Sequence, residues 1–304
     1  MEELDKIRER NNDPDIFAKI EKSNIQELNG YALKAFEDTA ELYDIITRIK
    51  NTERNTSGYS LNDAAIIGLL VKVWKLLKSS IEFHKSSNAD HLSLLDRPML
   101  EAAVTATFLL NKGDTAIEDY RKCSYKNRLR ILEDAKAGND FFQTEAGKKL
   151  INSINHKLLN EGYTENSFQQ QKQNKWKIQG KNFYEIFSEV WEKEVYRYTF
   201  GMQSENIHAS WGHSLEFDLT LNQDNTYNIH PFFIEPDIRY IASMLVFTSK
   251  PYELWLNKIE VIEEDVNIVL DFMSAMNTSI FLRFNELYKP TLDNNANQQT
   301  VLPP

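Results

Sequence analysis

Pro98-Met-Leu-Glu-Ala-Ala-Val-Thr-Ala-Thr-Phe-Leu-Leu110 carries one charge, Glu101, in thirteen positions. A helix of this composition is apolar on nearly every side and must be surrounded by other elements. It is too short to span a bilayer, and the chain holds no run of about 18 apolar residues. The segment therefore reads as the centre of a soluble fold. Pro98 suits the first turn of such a helix, or a kink where it begins.

Upstream, Leu61-Asn62-Asp63 opens a helix that runs to about His84, with Asn62 or Asp63 as its N-cap. Ile66, Leu69, Leu70, Val73, Leu76, Leu77 and Ile81 form its buried stripe, and Lys72, Lys75 and Lys78 mark its wet side. Residues 14 to 50 repeat apolar positions at helical spacing and read as one long helix or a hairpin broken at Asn29-Gly30. Downstream come more polar helices over Thr115 to Ala137 and Gln143 to Asn160. A Gln/Asn/Lys-rich loop follows to Gly180, then an amphipathic helix from Lys181 to Phe200. Leu215 to Leu221 alternates apolar and polar residues and can pair with Tyr227 to Pro231 across a turn at Asn222 to Asn225. Helices over Asp237 to Thr248 and Tyr252 to Leu287 close the fold, and the tail from Thr291 has the composition of a disordered end. The expected fold is mainly α: a multi-helix bundle with a central hydrophobic helix and one small β-hairpin insertion. One helical domain covers 1–290, with 1–60 as an N-terminal hairpin and 61–290 as the core bundle, and a tail covers 291–304.

Composition agrees. Of 304 residues, 41% are hydrophobic and only 10 are Gly and 8 Pro, which favours helices over turn-rich sheets. The net charge of -10 opposes indiscriminate nucleic-acid binding. The charge is uneven, however: residues 121–182 carry 13 Lys/Arg against 6 Asp/Glu, and the rest of the chain 22 against 39. The single cysteine, Cys123, excludes an internal disulfide or a cysteine-built zinc site. The acidic start Met1-Glu-Glu-Leu-Asp5 lacks the apolar core of a signal peptide, so a cytoplasmic location without membrane attachment is expected.

Chemistry is sparse. Gly-x-Ser-x-Gly elbows, Walker-type loops and Gly-rich dinucleotide fingerprints are absent. Glu101 on an oily helix needs a partner, and Arg97 lies four residues earlier on the same face. That pair either orients a functional group or simply holds helices in register. Ser204 and His208 share a helical face, so the hydroxyl can orient the imidazole, or the histidine is a half-buried packing residue. Glu205-Asn-Ile-His208 is a Glu-x-x-His pair, but di-iron bundles need two, so a carboxylate–histidine metal enzyme is the third reading. Arg121, Lys122, Lys126 and Arg128, with Lys175 and Trp176, interleave charge and rings as single-stranded nucleic-acid surfaces do, or form a solvated face.

Arg97-Pro-Met-Leu-Glu101-Ala in a hydrophobic helix, followed by Tyr198, Ser204 and His208-Ala-Ser, resembles a bacterial family, domain-of-unknown-function family 5677, over roughly Leu61 to Tyr288. Such chains are similar to HEPN-type helical bundles, many of which are metal-independent ribonucleases acting as toxins or antiviral effectors. Their usual signature is an Arg followed by a His with four to six residues between them. Here Arg197 and His208 are separated by ten, a departure from that pattern. The resemblance implies convergence of Arg97, Glu101, Ser204 and His208 between helices; the function expected from it is an RNA-cleaving effector without cofactor, in which Tyr198 helps position a phosphate, and a homodimer. The alternative is a non-enzymatic helical module that binds a regulatory protein partner.

Overall fold

The computed structural model describes residues 2–51, 53–168, 176–208, 210–260 and 264–299. The chain begins with α1 (Glu2–Arg10), α2 (Ile16–Lys22), α3 (Ile25–Arg48) and α4 (Leu61–Lys85). The break expected at Asn29-Gly30 falls instead at Ser23-Asn24. Asn24 accepts from the N–H groups of Gln26 and Glu27, and the Glu27 carboxylate accepts from the Asn24 N–H at 3.0 Å, a reciprocal cap that starts α3. Ser60, not Asn62 or Asp63, caps α4, because those two already lie in its first turn. Asp63 is held by the Arg54 guanidinium at 3.1 Å.

Next come α5 (Ala89–Lys112), α6 (Asp114–Cys123), α7 (Lys126–Lys136), α8 (Glu145–Asn160) and α9 (Phe183–Val190). A π-helical segment, Arg197–Gly201, leads into α10 (Met202–Ile207) and the single turn α11 (Trp211–His213). The alternating run from Leu215 is strand only at its end. Residues Ser214–Asp218 form a second wide turn that buries Phe217, and β1 (Leu219–Leu221) pairs antiparallel with β2 (Tyr227–Ile229), Leu219 facing Ile229. Helix α12 (Arg239–Lys258) runs through Pro251, where the sequence suggests a break, and stops where Glu260 adopts a left-handed φ of 55°. Helix α13 (Glu264–Gln299) continues past Thr291, and residues 300–304 lie outside the described ones.

The fold is thus a mainly α bundle with one small hairpin, and α5 is its centre. Asn88 caps it, Pro98 lies inside it rather than in its first turn, and Leu100, Ala103, Val104, Phe108 and Leu109 are buried among α4, α9, α10 and α12. Polar atoms in this core find partners where the chain supplies them. Tyr43 and Tyr252 stack at 3.8 Å, with the Tyr43 hydroxyl against Thr248 and the Tyr252 hydroxyl donating to the Leu70 carbonyl at 2.8 Å. Tyr125, Leu129, Leu132, Ile154, Leu158 and Phe168 form a second, smaller cluster under α7 and α8. No helix among the described residues is long and apolar enough to cross a membrane.

One buried group on α5 lacks a partner. Asp96 is 5% exposed, its Oδ1 has no hydrogen bond, and burial pushes its carboxyl well above the usual carboxylate range. The folded protein therefore holds a proton that the unfolded chain releases. Stability from that proton is complete below the unfolded carboxylate range and is lost as pH rises through the folded value. Chemical denaturation of Asp96→Asn and the parent, compared at pH 4 and pH 7, is expected to shift in favour of the variant by about 1–3 kcal/mol as pH rises. A difference independent of pH would contradict the assignment.

Candidate functional site

Arg97 and Glu101 sit one turn apart on the side of α5 that meets α10, a face only partly covered. The arginine does not pair with Glu101, as its spacing suggests. Its Nη1 donates to Ser204 Oγ at 2.5 Å, and its guanidinium carbon lies 4.3 Å from the centroid of the Phe200 ring. Residues 107 positions apart are thereby joined. The π-helical segment makes this possible. Phe200 packs 4.4 Å from Phe183 and 5.3 Å from Tyr196, which anchors the wide turn against α9 and sets Ser204 over α5. Wide π turns recur at functional sites because the extra residue re-aims the side chains that follow.

Glu101 is half-exposed and forms no hydrogen bond or ion pair among the described residues, contrary to the expectation of a buried, paired carboxylate. The helical period explains the difference: Asp96, Met99, Leu100 and Ala103 face inward, whereas 97 and 101 lie at the edge. The buried acid of α5 is therefore Asp96, which lies just before the apolar run and escapes a reading centred on it. The charge of Glu101 acts on two tyrosines. Tyr196 is raised chiefly by burial, with Arg97 opposing and Glu101 adding to the rise, and Tyr120 is raised by burial and then by Glu101. Tyr196 is thus a member of this neighbourhood that spacing rules do not single out.

His208 follows the last residue of α10 and is exposed, and Tyr198 is 75% exposed. Ser204 and His208 keep their four-residue spacing, but the helix ends at Ile207, so the imidazole stands at the rim rather than on a continuous face. Neither His208 nor Tyr198 has a side-chain hydrogen bond among the described residues. No three His, Cys, Asp or Glu side chains are grouped as metal ligands among the described residues, and the side chain of Glu205 lies outside them.

The basic strip divides by its partners. Arg121 is bound to Glu161 at 2.8 Å and Lys122 to Glu118 at 2.7 Å, so both charges are compensated. Lys126 and Arg128 have no carboxylate partner among the described residues. Trp176 packs edge-on to Tyr120 with ring centres 6.4 Å apart, and Lys175 lies outside the described residues. Cys123 is buried, its Sγ donating to the Lys177 carbonyl at 3.1 Å, and burial pushes the thiol up despite the nearby cations. Alkylation of Cys123 in the folded protein at pH 8 is expected to run about tenfold or more slower than in the chain unfolded in guanidinium. Equal rates would show an open, reactive thiol.

Searches of curated proteins and of solved structures return no match. A protein-family model does match, over residues 63–226, a span that begins in α4, includes all of α5 with Arg97 and Glu101, and reaches through Ser204 and His208 into the hairpin. The chain belongs to DUF5677, a family of unknown function.

Proposed function

We propose that the protein binds a phosphodiester where α5 meets α10 and cleaves RNA there without a metal, as an effector in a bacterial defence or toxin system. The supporting observation is the state of Arg97. A guanidinium offers five donors, and here one reaches a hydroxyl while the plane rests on an aromatic ring, with no carboxylate to neutralise it among the described residues. An arginine held in place but not neutralised suits an anion supplied from outside.

In this reading Arg97 stabilises the charge that develops on the phosphate, and Ser204 and Tyr198 position it. His208, exposed at the rim, takes the proton from the ribose 2′-hydroxyl as O2′ bonds to phosphorus. The P–O5′ bond breaks, and the imidazolium returns the proton to the leaving O5′. Glu101, one turn beyond Arg97, orients incoming groups through its charge.

The test is cleavage of a single-stranded RNA by the full chain in excess chelator. Activity is expected, reduced by about 100-fold or more in His208→Ala and in Arg97→Ala with the helical circular dichroism unchanged. No cleavage by the parent chain, or cleavage only after metal is added, would sink the reading.

A second reading, a non-enzymatic module that binds a regulatory protein, is favoured by apolar groups left exposed around the hairpin: Trp211 at 62%, Ile229 at 78%, Phe232 at 73% and Phe233 at 61%. It requires an RNA-inactive chain whose partner binding is lost in Phe232→Ser and kept in His208→Ala.

A further inference from the structure

Beyond the α5–α10 contact, the first turns of α4 present small residues, Ala64, Ala65 and Gly68, to a cleft shared with α6 and α7. A Cβ at Gly68 would meet nothing within 4 Å. The gap is a cleft of about 410 Å³, within the range of small-molecule sites. Its floor is apolar, with Leu61 and Leu69 beside the small residues, and Tyr120 stands on the far wall, while Tyr125, 5% exposed, lies beneath Arg128.

The cations of this cleft do not cancel against its acid. Arg121 gives Nη2 to Glu161 at 2.8 Å and Nη1 to Asn62 at 2.8 Å, and the Tyr125 hydroxyl donates to the other Glu161 oxygen at 2.5 Å. The one carboxylate of the lining among the described residues, Glu161, is therefore occupied by Arg121. Lys72 from α4 and Arg128 from α7 have no carboxylate partner among the described residues, and Arg128 rests over the Tyr125 ring at 5.1 Å from its centroid. Two uncompensated positive charges thus border a cleft with an apolar floor.

We propose that this cleft binds a nucleoside monophosphate, either free or as the 5′-phosphorylated end of an RNA. A phosphate monoester carries close to two negative charges near neutral pH, whereas a carboxylate or an internal phosphodiester carries one. The monoester therefore matches Lys72 and Arg128 together. The apolar floor and the partly exposed Tyr120 receive the nucleoside, whose flat ring buries apolar area without needing further charge. This assignment stands independently of the chemistry proposed for Arg97 and His208.

Calorimetric titration of the full chain with adenosine 5′-monophosphate is the test, with adenosine as the arm lacking phosphate. Saturable binding at one site is expected, weakened about tenfold or more in Lys72→Ala and in Arg128→Ala, and by a similar factor for adenosine. Gly68→Leu supplies a control that does not depend on removing charge. Leucine is the better helix former, and its Cβ enters open space, so the variant is expected to melt no lower than the parent while losing the nucleotide. A 5′-phosphorylated RNA hexamer that binds where its 5′-hydroxyl form does not would identify an RNA end as the source of the same group. Adenosine binding as tightly as its monophosphate, nucleotide affinity unchanged in Gly68→Leu, or no binding of either the nucleotide or the phosphorylated RNA would each overturn the proposal. RNA cleavage with an empty cleft, or a filled cleft without cleavage, separates its fate from that of the α5–α10 site.

Discussion

A helix covered on nearly every side leaves its polar groups no water to turn to, and α5 is such a helix. Thr107 returns its hydroxyl to the Ala103 carbonyl one turn back, at 2.9 Å. Asp96 has no comparable recourse and is driven toward its neutral form. Arg97 escapes because it lies at the edge, where α10 closes over it with a hydroxyl and an aromatic ring in place of a carboxylate. Neighbouring positions on one helix thus meet opposite environments, separated by a rotation of about 100°.

The two regions singled out share an electrostatic logic. The protein as a whole is acidic, yet its Arg97 and its pair Lys72 and Arg128 lack acidic partners among the described residues. Uncompensated cations in an acidic protein are local exceptions that net charge conceals, and they favour anions at chosen points without drawing polyanions to the whole surface. Tyr120 links the regions: it lines the α4–α6–α7 cleft, and its hydroxyl feels the charge of Glu101.

Much of the architecture was legible because it rests on composition. The run from Met99 to Leu109 shows one charge, and every residue of it except that Glu101 is buried, as its composition requires. The stripe from Ile66 to Ile81 lies inward as its period requires, apart from partly covered Leu76, and the hairpin sits where alternation ends in a polar turn. Boundaries were less legible where local signals compete. Asn24 outweighs Gly30 because a reciprocal cap supplies bonds that a glycine inside a helix does not withhold. Pro98 and Pro251 are tolerated inside helices that tertiary packing holds on both sides.

What the sequence determined by itself was a mainly helical bundle with one small hairpin, which helix is central, and which residue types, Arg97, Ser204 and His208, are available for chemistry. Only the tertiary structure decided that Arg97 joins Ser204 rather than Glu101, that Asp96 is the buried acid, and that Arg121 is neutralised while Arg128 is not. The reason is range. Periodicity reports the three or four residues that share a helical face, whereas these pairings span from 40 to 107 positions and are chosen by how the helices pack.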